Sequence, residues 1–235
     1  MKIDIHAHVL PGVDDGAKDW GMCLDMLEAS AKSGVTAVIA TPHFLPWRKS
    51  IACEEIKSLC TQAREKLDKE RGVSMDIYPG NEIYYSIGVV EKVKEGSALT
   101  LADSRYVLVE FKTAAPYQEL CRAVREFRDA GYIPIIAHME RYQCLNSEAR
   151  MEELKETGAL FQMNISSLQG GIFDSNKRKA RKLILDGAID FLASDMHDLS
   201  SRPPFSKKDF EWIQNKIRPE ERELLLSGNA ERILM

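Results

Sequence analysis

The stretch that decides the fold is Gly131-Tyr132-Ile133-Pro134-Ile135-Ile136-Ala137-His138. Before it, Leu120, Val124 and Phe127 repeat at helical spacing, and a glycine after such a helix is typical of a C-terminal cap. The run after the glycine is almost entirely apolar, as in strands of parallel sheets, which are buried on both faces. The stretch therefore predicts a helix, a sharp stop, and a buried strand that ends in a histidine.

The same succession of helix, glycine and apolar strand occurs five times along the chain, with glycines at Gly34, Gly72, Gly131, Gly158 and Gly187. This rhythm is typical of repeated β/α units. Seven β-rich runs can be picked out, at residues 2–6, 35–41, 75–79, 106–111, 133–138, 159–164 and 188–194. We predict one α/β domain over residues 1–235, with a barrel-like (β/α) fold of about seven strands.

The C-terminal part departs from this rhythm. Phe210, Ile213 and Ile217 share one helical face, and Pro219 stands where another helix begins. Asn229 is predicted to cap a last short helix. Motifs of the GxGxxG or GxxxxGK[ST] type are absent from the sequence, which weakens a dinucleotide-binding or P-loop interpretation.

Composition excludes several classes of protein. The chain has 235 residues and a formal net charge of −4, which gives no basic footprint for nucleic acid. Its first residues, Met1 to His6, lack the apolar core of a signal peptide, and no stretch approaches the roughly 18 apolar residues of a membrane span. The five cysteines have no paired spacing, which favours reduced thiols. We therefore expect a cytoplasmic protein with no nucleic-acid partner and no membrane insertion.

All five histidines stand at the ends of predicted strands: His6, His8, His43, His138 and His197. In a β/α barrel the C-terminal ends of the strands meet at one rim, where active sites lie. A single histidine after a strand is more often a structural residue, but that interpretation does not explain why none lies on a helix face. His6 and His8 are two residues apart in an extended segment, so they point the same way and can hold one ion together.

Several carboxylates accompany these histidines. Glu110 and Asp195 lie in or just after apolar strands, where a carboxylate must be paired or bound to a metal. Glu82 follows a turn and is equally compatible with a solvated position. Asp14 and Asp15 can form a turn or a helix cap, and only one of them need face a metal.

These donors predict a site for more than one metal ion. Imidazole and carboxylate ligands without thiolate suit Mn²⁺, Fe²⁺ or Zn²⁺, and the sequence does not choose among them. Nine or so ligands are enough for two or three ions. Neutral imidazoles and four carboxylates around three dications would leave a net positive site, which attracts a phosphate dianion.

At these motifs the chain resembles the PHP (polymerase and histidinol phosphatase) superfamily, and specifically the bacterial capsule-associated PHP protein-tyrosine phosphatases. The matching elements run from residue 3 to about 233: Asp4-x-His6-x-His8, Val13-Asp14-Asp15-Gly16, Thr41-Pro42-His43, Gly80-x-Glu82-Ile83-Tyr84, Leu101-x-Asp103-Ser104-Arg105-Tyr106, Glu110-Phe111, His138-x-Glu140-Arg141, Ser194-Asp195-x-His197 and Asn229-Ala230. The resemblance implies a distorted (β/α)₇ TIM-like barrel, the PHP fold, with up to three metals that are commonly assigned as Mn²⁺.

The resemblance also implies a ligand set for each ion. His6, His8, Glu82 and Asp195 would hold one ion, and Glu82, Glu110 and His138 a second. A third would be held by His43 and His197 with an aspartate of the Asp14-Asp15 pair. Asp14 is the nominal match, because many PHP proteins have a histidine six residues after the HxH pair.

The activity implied by the resemblance is hydrolysis of phosphotyrosine monoesters, by in-line attack of a water that the metals acidify. Arg141 and Arg202 are the candidate phosphate clamps, since a guanidinium grips phosphate with two parallel hydrogen bonds. Asp195 or His197 is the candidate proton donor to the leaving phenolate. The implied partner is a tyrosine-phosphorylated protein, a membrane-anchored bacterial tyrosine autokinase that controls capsular polysaccharide export.

Three rival interpretations accompany this one. Residues 144–150 have the C-x₅-R spacing of cysteine-dependent phosphatases, but the loop has no glycine and a glutamate lies where the dianion would sit. The same metals can serve a PHP phosphatase for a small metabolite such as histidinol phosphate. The chain can also be a non-catalytic metal-binding partner of a kinase.

Phe44, Trp47 and Tyr84 lie near rim positions and are candidates to stack on a substrate phenyl ring.

Overall fold

A computed structural model describes residues 2–171 and 174–235 of the chain. All strand pairs among these residues are parallel. The strands are β1 (Ile3–Ala7), β2 (Ala37–Ala40), β3 (His43–Phe44), β4 (Asp76–Pro79), β5 (Glu82–Tyr84), β6 (Tyr106–Glu110), β7 (Ile133–Ile136), β8 (Leu160–Asn164) and β9 (Phe191–Ala193).

These strands curl into a distorted barrel with seven strand positions. β1, β2 and β4 form one sheet, and β3, β5, β6, β7, β8 and β9 form another in that order. β3 continues β2 beyond Pro42, and β5 continues β4 beyond a break at Asn81, whose amide donates to the Pro42 carbonyl at 2.9 Å. The ring returns to β1 through a parallel bridge between Ala7 and Met196. The predicted distorted (β/α)₇ fold is confirmed.

Helices alternate with the strands and cover the outside of the barrel. They are α1 (Trp20–Lys32), α2 (Cys53–Arg71), α3 (Val89–Lys94), α4 (Tyr117–Asp129), α5 (Glu148–Glu156), α6 (Ser175–Leu185), α7 (Lys207–Lys216), α8 (Pro219–Glu223) and α9 (Asn229–Leu234). Gly72 ends α2 in the left-handed conformation that the sequence predicts, with its N–H bonded to Asp68. In the described part of the chain, no helix combines the length and the apolar character needed to cross a membrane.

Two details differ from the sequence-based expectations. The short strands β3 and β5 and the helix α3 were not expected, because each is brief and β3 and β5 carry polar residues. The expected N-cap at Asn229 is wrong. Its backbone is helical, with φ −71° and ψ −37°, and it continues a wider helical turn at Leu224–Gly228. The Asn229 side chain instead donates to the carbonyl of Asp190 at 2.8 Å.

The interior of the barrel and the space under the helices form separate apolar cores. Ile5, Ile39 and Leu108 pack with one another inside the barrel, and the C-terminal Ile233 packs against the same group. Ala7 belongs to the outer core, although Ile5 and Ala7 are two residues apart. The pairing of β1 with β2 shifts register between Asp4 and Ala7, and such irregularities redirect side chains in a strand. The shift falls in the segment that contains His6.

Candidate metal centre and active site

The structure brings all five histidines together at the C-terminal rim of the barrel. The rings of His8 and His197 stack with their centroids 3.8 Å apart, and His43 lies 4.6 Å from His8. The His6 ring lies 5.3 Å from that of His8 and 5.9 Å from that of His138. Four of the five are fully buried, whereas His43 is partly exposed, so the cluster has a closed floor and an open mouth.

Four of the histidines and four carboxylates form three overlapping sets of candidate ligands. In each set, one atom per residue lies within 4.8 Å of every other: His8, Asp15, His43 and His197 in the first, His6, His8 and Asp195 in the second, and His43, Glu82 and Glu110 in the third. We call the three sets together the metal centre. His138 joins it through Glu82, whose Oε1 is 2.9 Å from His138 Nε2.

The donor atoms of this centre fit a metal. His6 Nδ1 lies 3.1 Å from Gln162 Oε1 and His8 Nδ1 lies 2.7 Å from Asp14 Oδ2, so both Nδ1 atoms act as hydrogen-bond donors. The two Nε2 atoms then point at each other across 3.2 Å. Two nitrogen lone pairs at that distance repel unless a proton or a metal cation lies between them, and imidazole Nε2 is a common metal ligand.

Glu82 stands at the middle of the centre. Its side chain is buried, with Oε2 2.9 Å from His43 Nδ1 and Oε1 3.3 Å from His6 Nε2. Burial alone would raise the pKa of Glu82, but the surrounding imidazoles outweigh burial and lower it well below the ordinary value. Glu82 is therefore ionised and can bridge two cations.

Two amides that the sequence reasoning missed hold the ligands in place. Gln162 Oε1 accepts from the backbone N–H of His138 at 2.8 Å, besides its contact with His6. Gln162 Nε2 donates to Asn164 Oδ1, and Asn164 Nδ2 donates to Asp195 Oδ2 at 2.7 Å. The sequence does contain a sign of this role. The two amides alternate with apolar residues in β8 and so share the face of the strand that points into the barrel.

A buried carboxylate ties the first strand to the last beneath the metal centre. Asp4 Oδ1 accepts from the backbone N–H of Ser194 at 3.0 Å, and Asp4 also accepts from the Ser194 hydroxyl. Burial raises the pKa of Asp4 to about 6, against the opposing effect of these hydrogen bonds. Asp4 thus fixes β1 against the segment that carries Asp195.

The two neighbouring aspartates have different positions. Asp15 belongs to a ligand set, with Oδ1 3.3 Å from His197 Nε2 and 3.4 Å from His43 Nε2. Asp14 lies behind His8 and also accepts from the backbone N–H of His43 at 3.1 Å. Among the described residues, none of the three sets includes Asp14. The geometry therefore places Asp15 as the candidate ligand and Asp14 as the residue that orients His8.

Both predicted phosphate clamps lie at the edge of the centre. Arg141 Nη2 donates to Asp195 Oδ2 at 3.0 Å, and 43% of its side chain is exposed. Arg202 Nη2 donates to Asp15 Oδ2 at 2.8 Å, and its Nη1 is 2.7 Å from His197 Nε2. Each guanidinium is thus held by a carboxylate at the mouth of the cluster, with part of its surface facing solvent.

Two ligand candidates occupy unusual backbone conformations. His138 has φ 34° and Asp195 has φ 54°, in the left-handed region that side chains other than glycine rarely adopt. Both stand just after a strand, β7 for His138 and β9 for Asp195. Such strain persists where the surrounding contacts fix the chain, and here it turns both side chains into the centre.

Both Asp195 and His197 have lowered pKa values, so Asp195 is a carboxylate and His197 a neutral imidazole at neutral pH. Burial, and the neighbouring His8, lower the pKa of His197 to about 4. His197 Nδ1 lies 2.9 Å from the carbonyl of Asp195, which fixes the tautomer and leaves Nε2 facing the centre. The pKa of Asp195 is also lowered, since the charge of His6 outweighs burial. Both side chains therefore present unprotonated donor atoms to the centre.

The C-x₅-R segment does not form a phosphate-binding loop. Cys144 lies in a short 3₁₀ turn, and Arg150 donates to the Cys144 carbonyl at 3.2 Å while its guanidinium stacks on Tyr117. Burial raises the pKa of the Cys144 thiol, whereas a nucleophilic cysteine needs a lowered one. The segment offers no anion site, in agreement with its lack of glycine.

Two of the three rim aromatics, Trp47 and Tyr84, contact each other, and the third is buried. Trp47 is 61% exposed and packs edge-on against Tyr84, with the ring centroids 4.8 Å apart. Phe44 is buried in the outer core, so the expectation that it stacks on a substrate is wrong. A cavity of about 680 Å³ opens beside the metal centre and is lined by Asp15, His43 and Arg48, among others.

Comparison with known proteins identifies the family of the chain. Residues 2–235 match the family described as capsular polysaccharide synthesis, CpsB/CapC. The chain is 33% identical over 239 residues to tyrosine-protein phosphatase CpsB of Streptococcus pneumoniae, an alignment that covers 99% of this chain and 98% of that protein. It is 31% identical over 237 residues to tyrosine-protein phosphatase YwqE of Bacillus subtilis, covering 99% and 91%.

A solved structure shows the same architecture. It comes from crystal structures of YwqE from Bacillus subtilis and CpsB from Streptococcus pneumoniae, described as metal-dependent tyrosine phosphatases. It superimposes with a TM-score of 0.90 at 29% identity, over 99% of this chain and 94% of that one. With the family match over residues 2–235, this similarity establishes that the chain belongs to the CpsB/CapC family of capsular polysaccharide synthesis proteins.

Proposed function

We propose that this chain is a metal-dependent protein-tyrosine phosphatase, a phosphoric monoester hydrolase that uses Mn²⁺. The observation that carries the proposal is the convergence of four imidazoles and four carboxylates in three overlapping ligand sets, with the fifth imidazole, His138, beside Glu82 and two guanidiniums at the edge of the centre. The relatives named tyrosine-protein phosphatase align over nearly the whole chain and support the substrate class.

Three ions fit the donors, and the geometry suggests an allocation for each. His6, His8, Glu82 and Asp195 would hold one ion, and Glu82, Glu110 and His138 a second, with His43 close to this pair of carboxylates. Asp15, His43 and His197 would hold the third. When bound, the cations would lower the pKa of water at the site and neutralise charge that develops on the phosphoryl group.

The residues of the chain have separable roles in this proposal. Arg141 and Arg202 hold the phosphate, because a guanidinium can exchange a carboxylate partner for phosphate oxygens without leaving its place. Asp195 and His197 act as ligands. Trp47 and Tyr84 contact the phenyl ring of the substrate, and the floor of buried side chains keeps bulk water from the reacting phosphorus.

The physiological substrate we propose is a tyrosine-phosphorylated protein of the capsule pathway, a bacterial tyrosine autokinase that controls polysaccharide synthesis. The family description and the names of the relatives support the pathway. Since such a kinase presents its tyrosines to the cytoplasm, we propose a cytoplasmic location.

The test is hydrolysis by the purified chain of para-nitrophenyl phosphate, a phosphotyrosyl peptide and histidinol phosphate, with and without Mn²⁺. We expect turnover of the aryl esters, loss in EDTA, recovery on adding Mn²⁺, and little turnover of histidinol phosphate. Preference for histidinol phosphate would identify a metabolite phosphatase, and bound metal without hydrolysis would indicate a non-catalytic partner. Activity that survives EDTA and is lost in iodoacetamide would overturn the metal mechanism.

A further inference from the structure

α6 is a strongly basic helix in an acidic chain. Its sequence, Ser175–Leu185, holds five basic residues and no acidic one, Lys177, Arg178, Lys179, Arg181 and Lys182, whereas the chain has a net charge of −4. The pairs four residues apart, Lys177 with Arg181 and Arg178 with Lys182, carry like charges, which destabilises an isolated helix. Basic residues in the first turn also oppose the helix dipole. Helix stability therefore does not account for this composition.

The basic residues of α6 divide into two groups by their contacts. Arg181 stacks on Trp212, with the guanidinium 4.8 Å from the ring, and Lys182 pairs with Asp186. By contrast, Lys177 donates to the carbonyl of Gly170 and Lys179 to the carbonyl of Glu140. Among the side chains that the structure describes, which leave out residues 172–173 and 207–209, no carboxylate forms an ion pair with Lys177, Arg178 or Lys179. The positive charge at the start of α6 is thus not paired with any described carboxylate.

A groove connects this end of α6 to the metal centre. The groove encloses about 650 Å³, and its lining includes Thr113, Arg141, Ser166, Lys177 and Lys179. Arg141 belongs to both places, because its side chain lines the groove and its Nη2 contacts Asp195 of the metal centre. A substrate whose phosphate reaches Arg141 therefore extends into a channel whose far wall is α6. We call this channel the α6 groove.

Two carboxylates also line the α6 groove, and both are engaged within the protein. Asp174 caps α6 by accepting from the backbone N–H groups of Asn176 and Lys177. Glu140 Oε1 accepts from the Ser167 hydroxyl at 2.7 Å and from the backbone N–H of Asn164 at 3.2 Å. Three basic residues, Arg141, Lys177 and Lys179, line the groove against these two carboxylates, so its net charge is positive. The exposed Arg178 adjoins Lys177 in α6 and adds to this positive charge.

We propose that the α6 groove binds the acidic flank of the substrate, so that the enzyme prefers phosphotyrosine next to carboxylate side chains in an extended peptide. This inference rests on the proposed phosphatase function and adds the class of peptide sequence that it selects. The supporting argument is charge complementarity, because a groove that begins at the phosphate clamp and ends at unneutralised lysines attracts anionic side chains and repels cationic ones. Attraction at this exposed rim is weakened by salt.

The test compares two phosphotyrosyl peptides of equal length, one with glutamates on both sides of the phosphotyrosine and one with alanines and serines. We expect the Mn²⁺-loaded wild type to have a kcat/KM on the order of threefold to tenfold higher for the acidic peptide at low salt, with most of the difference in KM. High salt should remove the preference. The double variant Lys177→Glu/Arg178→Glu should lose it, while hydrolysis of para-nitrophenyl phosphate changes little.

The matched control is Lys69→Glu/Lys216→Glu, which makes the same change in net charge at exposed positions at the C-terminal ends of α2 and α7. This variant should keep the preference for the acidic peptide. The double variant Lys177→Gln/Arg178→Gln, which removes the two charges without reversing them, should reduce that preference. Equal kcat/KM for the two peptides overturns the inference but leaves the phosphatase function intact. Equal kcat/KM together with binding of the wild type, but not the α6 variant, to phosphatidylglycerol vesicles would assign the basic helix to membranes. Absence of turnover of every aryl phosphate overturns the phosphatase function and this inference with it.

Discussion

Asn164 Nδ2 donates to Asp195 Oδ2 across 2.7 Å, and Arg141 Nη2 donates to the same oxygen at 3.0 Å. These two donors leave the other oxygen, Oδ1, directed at His6 Nε2 at 3.4 Å and His8 Nε2 at 3.6 Å. An amide from the neighbouring strand thus decides which oxygen of Asp195 is available to a metal. Partners of this kind orient metal ligands and tune their affinity.

Replacing Asn164 by Ala should weaken metal binding without unfolding the protein. The change removes a donor from Asp195 and leaves the carboxylate free to rotate away from His6 and His8. We expect Mn²⁺ affinity to fall by about tenfold to a hundredfold, as measured by competition with a chromogenic chelator. Asn215→Ala is the control, because Asn215 is exposed and its side chain bonds only a carbonyl of its own helix among the contacts described. Unchanged affinity in Asn164→Ala would show that Asp195 needs no second partner.

Substitutions of Asp14 and of Asp15 should have different effects on the number of metal ions that the protein binds. Asp15 points at His43 and His197, so Asp15→Asn should lower the number of bound ions by one. Asp14 bonds His8 Nδ1 and lies outside the ligand sets, so Asp14→Asn should keep the number but reduce affinity by roughly tenfold. Elemental analysis of the dialysed variants distinguishes the two effects. A lost ion in Asp14→Asn with none lost in Asp15→Asn would reverse the assignment.

Position 16 requires glycine because its backbone lies against His8. A Cβ at position 16 would lie 2.0 Å from the His8 carbonyl oxygen and 2.6 Å from the His8 Cβ, which no rotamer change relieves. Gly16→Ala should therefore displace His8, with a loss of about a hundredfold in kcat/KM for para-nitrophenyl phosphate, since small misplacements of active-site groups are costly. Gly171→Ala is the control, because a Cβ there meets nothing within 4 Å in the described part of the chain. Full activity of Gly16→Ala would mean that the turn moves independently of His8.

The barrel and the histidine cluster were predictable because each depends on a local pattern. Parallel strands buried on both faces give uninterrupted apolar runs, and the histidines stand directly after them, as His138 does after β7. The sites that were missed depend on tertiary geometry. Gln162 and Asn164 are neutral amides, so nothing in their chemistry marks them as part of a metal site until β8 is placed beside His6 and Asp195.

Which of Asp14 and Asp15 faces the metal centre is a second point that the sequence could not decide. Both residues are carboxylates in one turn, and only the resemblance to PHP proteins favoured Asp14. The turn instead places Asp14 under His8, where it accepts from the backbone of Gly16 and His43 as well. That choice depends on where the loop before α1 crosses β3, a relation between segments far apart in the chain.

Trp47 should contribute to selectivity for aromatic esters. It is exposed and packs edge-on against Tyr84, so it offers a face to a phenyl ring, and aromatic pairs contribute about 0.5–1.5 kcal/mol beyond buried area. Trp47→Ala should raise KM for a phosphotyrosyl peptide by roughly threefold to tenfold and leave a phosphoseryl peptide unaffected. Leu185→Ala, an exposed apolar residue at the end of α6, is the control. An equal rise in KM for both peptides would show that Trp47 maintains the shape of the site and does not contact the phenyl ring of the substrate.

Metal binding should release protons and strengthen as pH rises. Burial alone would lower the pKa of His8 and His138, but hydrogen bonds to carboxylates outweigh it. Asp14 and Glu82 raise the pKa of His8 well above its usual value, and Glu110 and Glu82 raise that of His138 to about 9. Without metal these imidazoles are therefore protonated near neutral pH, and a cation must displace their protons.

Protons and metal ions compete for these imidazoles, which determines how metal affinity depends on pH. Each raised pKa means that lowering the pH favours the protonated, metal-free site, so affinity for Mn²⁺ should increase up to about pH 9, the pKa of His138. Calorimetric titrations of the metal-free protein near pH 7, in buffers with different ionisation enthalpies, measure the protons released per ion. Glu82→Gln removes a carboxylate that raises both pKa values and should reduce that number as well as the affinity. Binding without proton release, or an affinity that is flat with pH, would mean that the histidines are already neutral in the empty site.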